Sequence, residues 1–453
     1  MKKMIFLPAW IIFSFFALSR PGFCEEIRPF PGFTAPDRVL ILAAHPDDEI
    51  IGTGGVIQRA LAKGASVKVV CFTNGEHNEL SFIVYEKRLT FRKGEFIHMG
   101  EIRGKETREA AKSIGVNENN IMFLGYPDYG TQDILFRYWQ DKRPFGDLLT
   151  RISKVPYADC LSPGAPYTGR SILRDLEKVL TDFKPTKIFV THPVDTNRDH
   201  RALYVFLRFA LLDVGKQFAN PEVFPYLIHV IGWPKPRGFH EDLPLVPPEK
   251  LKYSMISWFT FELSPQEIEA EKKALGFFKS QIEYNPPYLY TFARQNELFG
   301  DYPDIKLKKQ DNGAGDGTAF NDLEWQYLGG SNLNSKLAYA HKDGFLYVRF
   351  DVKRRLGRSF GISLYLLGYN SEKNFADMPK INLTVGFGGL RIKDKKDVVF
   401  SKNAKITYNK KGCLVIKVPL ALLGEPQYIL SYGRANVKNF PLDDTAWRVL
   451  ALE

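Results

Sequence analysis

The sequence predicts an α/β unit, built on a mostly parallel sheet with helices on both faces, followed by an all-β sandwich. Three observations carry this expectation. From residue 37 to about 214, short continuous apolar runs alternate with amphipathic stretches of helical period, the pattern of buried parallel strands and covering helices. Near residue 300 the helical period gives way to short β-branched and aromatic runs spaced by turn residues. Two of the earlier runs end abruptly in clusters of His, Asp and Glu, at the strand ends where sheets of this kind bind ligands.

Residues 1–24 read as a cleaved secretory leader. Lys2 and Lys3 precede the apolar run MIFLPAWIIFSFFALS, Pro21 and Gly22 break it, and Glu25 and Glu26 follow. The expected setting is secreted or periplasmic, with no stable membrane span once the leader is removed.

The α/β unit is expected over 25–300, and its elements follow in order. RVLILAA is a buried strand, GGVIQRALAKG a helix closed by Gly64, and SVKVVCFT a second strand. KETREAAKSIGV reads as a helix, IMFLG as a strand, and SILRDLEKVLTDFKP as a helix stopped at Pro185. KIFVTH is the next strand and DHRALYVFLRFALLDV the next helix, which makes the sheet Rossmann-like. Residues 77–100 and 126–170 interrupt the alternation and read as walls or lids of a site. A glycine-rich stretch, 301–318, is expected to link this unit to a sandwich over 319–453, where FLYVRFDV, SFGISLYLLGY, KINLTVGF, KITYN and CLVIKVPL supply strands.

Composition excludes some classes of partner. The formal net charge of +11 is spread along the chain with no Lys/Arg block, so a nucleic-acid arm is not expected. After leader removal Cys71, Cys160 and Cys413 remain; an odd number without CxxC spacing is neither a disulfide framework nor a thiolate metal site.

The first cluster is His45, Asp47, Asp48 and Glu49; the second is His192, Asp195, Asp199 and His200. A single His–Asp pair at a strand end reads as a hydrogen-bonded turn. Two such pairs at two ends of one sheet favour a metal, because two imidazoles and one carboxylate leave positions open for water and substrate. Adjacent Asp47 and Asp48 suit a division in which one holds the ion and the other accepts a proton from water.

The strings AAHPDDEIIGTGG and THPVDTNRDH, with RGKETREAAKSIGV, FLGYPDYG, KALGFFKSQ and FARQNELFG, resemble the PIG-L or LmbE-like N-acetylglucosaminyl de-N-acetylase family over roughly residues 37–300. The resemblance implies a zinc-dependent N-deacetylase, a hydrolase of linear amides, with one zinc held by His45, Asp48 and His200 and with Asp47 as general base. It implies that Arg103 and Asp128 bind an N-acetylated amino-sugar substrate, in a glycan, a glycolipid or an exported polysaccharide. For Arg103 a helix-surface ion pair with Glu106 or Glu109 is the alternative. Asp199 is expected to orient His200, and Asp195 either lines the site or caps the helix. Many relatives have a His where this chain has Asn197, so the oxyanion is left to the metal or to His192. The rival expectation is a glycan-binding protein whose enzyme-like unit has lost activity.

The sandwich strands are similar to those of carbohydrate-binding modules, with Trp325, Tyr327, Tyr339, Tyr365 and Tyr369 as candidate sugar platforms; a packing module without ligand is the plainer alternative. DNGAGDG at 311–317 has the oxygen-rich composition to hold calcium, although a flexible linker explains it more simply.

Overall fold

A computed structural model describes residues 27–453 except 79–82, 85–92, 216, 219, 252–253, 284, 311–322, 328–334, 353–359, 387–388, 394–404, 409–412 and 438–439. The leader and the DNGAGDG segment therefore lie outside the described residues.

The first unit is an eight-stranded sheet. Its strands are β1 (Arg28–Pro29), β2 (Arg38–Ala43), β3 (Ser66–Thr73), β4 (Ile121–Tyr126), β5 (Lys187–Thr191), β6 (Glu222–Tyr226), β7 (Ser257–Glu262) and β8 (Asn296–Asp301), in the order β1-β7-β8-β6-β5-β2-β3-β4. From β4 to β6 every pairing is parallel, whereas β8 runs antiparallel to both β6 and β7. Val39, Leu40, Ile41 and Leu42 are all buried, as are Ile188, Phe189 and Val190, which is why these strands read as unbroken apolar runs. Order reverses between β2 and β5, so the chain leaves these neighbouring strands in opposite lateral directions and opens a crevice beyond their carboxyl ends.

Eight helices flank the sheet among the described residues: α1 (Asp48–Ala62), α2 (Lys93–Ser113), α3 (Thr131–Arg137), α4 (Gly169–Phe183), α5 (Arg198–Val214), α6 (Pro265–Leu275), α7 (Lys279–Ile282) and α8 (Pro286–Tyr290). Helices α1 and α2 each pack on α6, and α3 and α4 pack on α5, as expected when the two groups cover opposite faces. Two boundaries differ from the sequence expectation. Helix α1 begins at Asp48, so the first charged cluster is the strand-to-helix turn itself, and α2 begins at Lys93, inside the stretch expected to be a lid. Helix α1 is broken at Thr53, and the Glu297 carboxylate accepts from the freed N–H groups of Gly55 (2.6 Å) and Val56 (3.0 Å), restarting the helix. Gly52 permits the close approach of this turn to β6, because a Cβ there would lie 2.3 Å from the Tyr226 ring.

The second unit is a sandwich of two sheets. One orders Gly389–Lys393, Lys380–Gly386, Phe360–Tyr369, Tyr428–Val437, Arg448–Leu452 and Ile305–Leu307; the other orders Lys309–Gln310, Ser335–Lys342, Phe345–Val352, Cys413–Pro419 and Lys405–Tyr408. Leu337, Val348, Leu364, Ile416 and Ile429 pack between them. Residues 305–310, expected in a linker, are thus strands of the sandwich, held by pairing with 450–452 and 341–342. Three of the expected sugar platforms are occupied otherwise. Tyr339 is buried and bonds Ser431, Tyr365 stacks on Phe136 of α3 at 4.3 Å, and the Tyr369 hydroxyl donates to Asp213 of α5 at 2.7 Å.

No described helix is long and apolar enough to cross a membrane. Cys71, Cys160 and Cys413 are buried, and no disulfide joins them.

Candidate active site

Both charged clusters meet at the crevice between β2 and β5. His45 follows β2, and Asp48 opens α1 with its Oδ2 accepting from the His45 backbone N–H at 2.9 Å. His200 sits in the first turn of α5, fixed in place by the cap that Asn197 Oδ1 makes with the Asp199 N–H at 2.8 Å. The result is a triangle of donor atoms. His45 Nδ1 lies 3.4 Å from Asp48 Oδ2, His200 Nε2 lies 3.1 Å from the same oxygen, and the two nitrogens are 3.2 Å apart.

The other ring nitrogen of each imidazole faces a carboxylate. His45 Nε2 is 3.1 Å from Asp128 Oδ1 and 3.4 Å from Asp199 Oδ2; His200 Nδ1 is 3.1 Å from Asp195 Oδ2. With the outer nitrogens carrying the hydrogens, the inner two present lone pairs beside Asp48. Three lone-pair donors with edges of this length match the face of a tetrahedron about an ion bound at about 2.0 Å, for which ligand atoms sit roughly 3.3 Å apart. All three residues are buried, and the donor set of two imidazoles and a carboxylate suits zinc. Burial alone raises the Asp48 pKa and lowers that of His200, yet Asp48 is held well below the usual carboxylate range by His200 and His45, while His200 is lifted to about 9 by Asp195 and Asp48.

Asp47 stands beside this triangle without belonging to it. Its backbone has φ 111, a left-handed conformation costly for a β-carbon, and the Glu49 carboxylate holds it there by accepting the Asp47 N–H at 3.0 Å. That contact is the role of Glu49, which is fully buried and whose pKa burial raises to about 8. Burial likewise pushes the Asp47 carboxyl up to about 7, against the pull of Arg103. Arg103 is buried, not on a helix surface: it donates to Gly75 O (2.7 Å), Pro46 O (2.6 Å) and Asp47 Oδ2 (3.2 Å). It lines the cleft and clasps Asp47.

A cleft of about 630 Å³ opens over these groups, lined by His45, Asp47, Asp48, Arg103, Asp128 and Asn197 among others. Three expected roles change. Asp199 supports His45, not His200; its Oδ2 also accepts from the Tyr129 N–H (2.7 Å) and its Oδ1 from Thr131. The carboxylate behind His200 is that of Asp195, which also accepts from the Ile228 and His229 N–H groups at 3.2 and 2.9 Å. His192 does not reach the cleft: it is fully buried, stacked on Trp258 at 5.9 Å, with Nδ1 accepting the Val194 N–H.

The cleft also holds His229 and Tyr129, neither of which the sequence marked as a site residue. His229, just beyond β6, packs 4.8 Å from the His200 ring and bonds the Tyr288 hydroxyl through Nδ1 at 2.8 Å. Burial pushes its pKa down to about 4, so it is a neutral imidazole. Tyr129, adjacent to Asp128, is 52% exposed at the cleft in a left-handed conformation, its ring edge-on to His77 at 5.2 Å.

A mostly parallel α/β sheet with a two-His, one-Asp site and a separate carboxylate at its switch point defines a class of metal-site α/β domains suited to hydrolysis. Residues 40–211 match the family model described as PIG-L, GlcNAc-PI de-N-acetylase. The chain is 31% identical over 169 residues to 1D-myo-inositol 2-acetamido-2-deoxy-alpha-D-glucopyranoside deacetylase 1 of Saccharopolyspora erythraea, covering 37% of this chain and 50% of that protein. Against the corresponding deacetylase of Corynebacterium urealyticum it is 26% identical over 263 residues, covering 55% and 72%. The chain thus spans half the length of the first of these relatives. Among solved structures it is similar to the N,N'-diacetylchitobiose deacetylase of Pyrococcus horikoshii, with 20% identity and a TM-score of 0.36 over 58% of this chain and 82% of that one.

Proposed function

We propose that the protein is a zinc-dependent hydrolase that removes N-acetyl groups from N-acetylglucosamine-type amino sugars in a glycan, glycolipid or exported polysaccharide. The observation that carries this reading is the division between two adjacent carboxylates, Asp48 completing the triangle with His45 and His200 while Asp47 is held outside it by Glu49 and Arg103. The family match and the names of the relatives, which are deacetylases of a 2-acetamido sugar, support the choice of an amide on a sugar. The leader-like run of residues 1–24 supports an extracytoplasmic setting.

His45, Asp48 and His200 would hold the zinc, which when bound supplies Lewis acidity to a carbonyl oxygen and makes water a stronger acid. Asp47 accepts the proton of the attacking water and returns it to the departing amine, so that acetate and a free amino sugar leave. His229 takes the place that Asn197 cannot fill. When the Tyr288 hydroxyl donates to Nδ1, the His229 Nε2 carries the hydrogen and is the donor for negative charge developing on the amide oxygen. Arg103 fixes Asp47, and Tyr129 offers an aromatic face at the mouth of the cleft for a sugar ring.

Acetate release by zinc-loaded protein, screened over N-acetylated glycans and glycolipids, tests the proposal. Release with an equal yield of free amine is expected from at least one class. A protein that binds such glycans but releases no acetate is a binding protein instead.

A further inference from the structure

We infer that the β-sandwich braces the loop that carries the second half of the site, through Arg201. This rests on the reading of that site as a metal centre. Arg201 follows His200 directly and is only 6% exposed. Its Nε donates to the Asp195 carbonyl oxygen, the same residue whose carboxylate faces His200. Its Nη1 crosses to the sandwich, donating to Asp444 Oδ2 at 2.9 Å and to the Tyr432 hydroxyl at 3.1 Å. The Tyr432 ring stacks on Trp447, 5.2 Å between centroids, and the Trp447 backbone N–H reaches the Pro193 carbonyl at 3.4 Å. Two carbonyls of the 192–197 loop are therefore tied to one corner of the sandwich, one of them through a buried guanidinium.

A guanidinium this buried needs an anion, and Asp444 supplies it from the other unit. Other contacts of the boundary lie elsewhere, among them Phe375 stacked on Phe209 at 3.7 Å and Asp377 bonded to Gln140 (2.8 Å) and Arg170 (3.1 Å). Those contacts dock the sandwich without touching the metal loop. Arg201 thus acts as a positioning residue, and the sandwich is part of the frame that aims His200.

The test compares full-length Asp444→Ala and the milder Tyr432→Phe with Asp377→Ala, which cuts the boundary away from the loop. Backbone hydrogen exchange over residues 192–201 and zinc affinity by chelator competition are both read. Asp444→Ala is expected to speed exchange there and weaken zinc binding about tenfold, at the lower end of the effect of residues that orient ligands. Tyr432→Phe moves both in the same direction by less, and Asp377→Ala moves neither. Wild-type exchange and affinity in Asp444→Ala, or equal changes in Asp377→Ala, would overturn the brace. If the wild type binds no zinc, the metal-centre reading fails, and the exchange comparison still decides whether Asp444 braces the loop.

Discussion

His45 Nδ1 and His200 Nε2 face each other at 3.2 Å, each imidazole having its opposite nitrogen directed at a buried carboxylate. Two lone pairs aimed at one point beside Asp48 Oδ2 repel unless a cation lies between them. Asp195 lies behind the His200 ring, and Asp128 and Asp199 lie behind the His45 ring. Asp195→Asn and Asp199→Asn are each expected to weaken zinc binding by about 10- to 100-fold without changing its stoichiometry, as measured by chelator competition. An unchanged affinity in either variant would remove that carboxylate from the account.

In the proposed reaction His229 supplies the oxyanion donor that Asn197 does not. Replacing it with Ala is expected to lower kcat by about 10²–10³, the loss typical of one oxyanion donor, with zinc content retained. Tyr288→Phe removes the hydroxyl that bonds His229 Nδ1 and should give a smaller loss in kcat. Asn197→Ala should mainly cost the α5 cap, about 1 kcal/mol in thermal unfolding, since its side-chain oxygen serves the Asp199 N–H. A larger kcat loss at Asn197 than at His229 would reverse the assignment.

At the opposite rim of the sheet, Asp37 joins Lys187 (3.0 Å), Thr186 (2.8 Å) and the Thr34 N–H (2.7 Å). Burial raises the Asp37 pKa, but these bonds outweigh it and leave the group well below its ordinary 3.8. A depressed folded-state value stabilises the fold above the unfolded pKa and loses that contribution as pH falls through the folded one. Asp37→Asn should therefore destabilise by about 1–3 kcal/mol at pH 7, with the difference from wild type shrinking below about pH 4. Denaturant unfolding at pH 7 and pH 3 checks this; a gap that widens in acid would contradict it.

Much of the fold was legible because buried parallel strands leave unbroken apolar runs: RVLILAA, SVKVVCFT and KIFVTH all became central strands. The edge formed by β6, β8 and β7 was not, since EVFPY and SWFTFE lack that uniform character and are partly exposed. In the site, HPDDE and DTNRDH announced themselves by charge at strand ends. Which carboxylate backs which histidine was hidden. Asp199 is adjacent to His200 in sequence but on the helix turn it points to His45, and Asp195 reaches His200 from across the loop. His229 was invisible for a different reason: it lies alone among apolar neighbours in LIHVIG, and only the fold brings Tyr288 and His200 to it.

The central claim is that Asp47 moves the proton while His45, Asp48 and His200 hold the metal. Wild type and Asp47→Asn, matched for zinc content, should be compared for acetate released from an N-acetylated glycan at saturating substrate. Equal zinc per chain and a loss of about 10²–10⁴ in kcat for Asp47→Asn are expected. Equal turnover at equal metal content, or loss of the metal in Asp47→Asn, would contradict it.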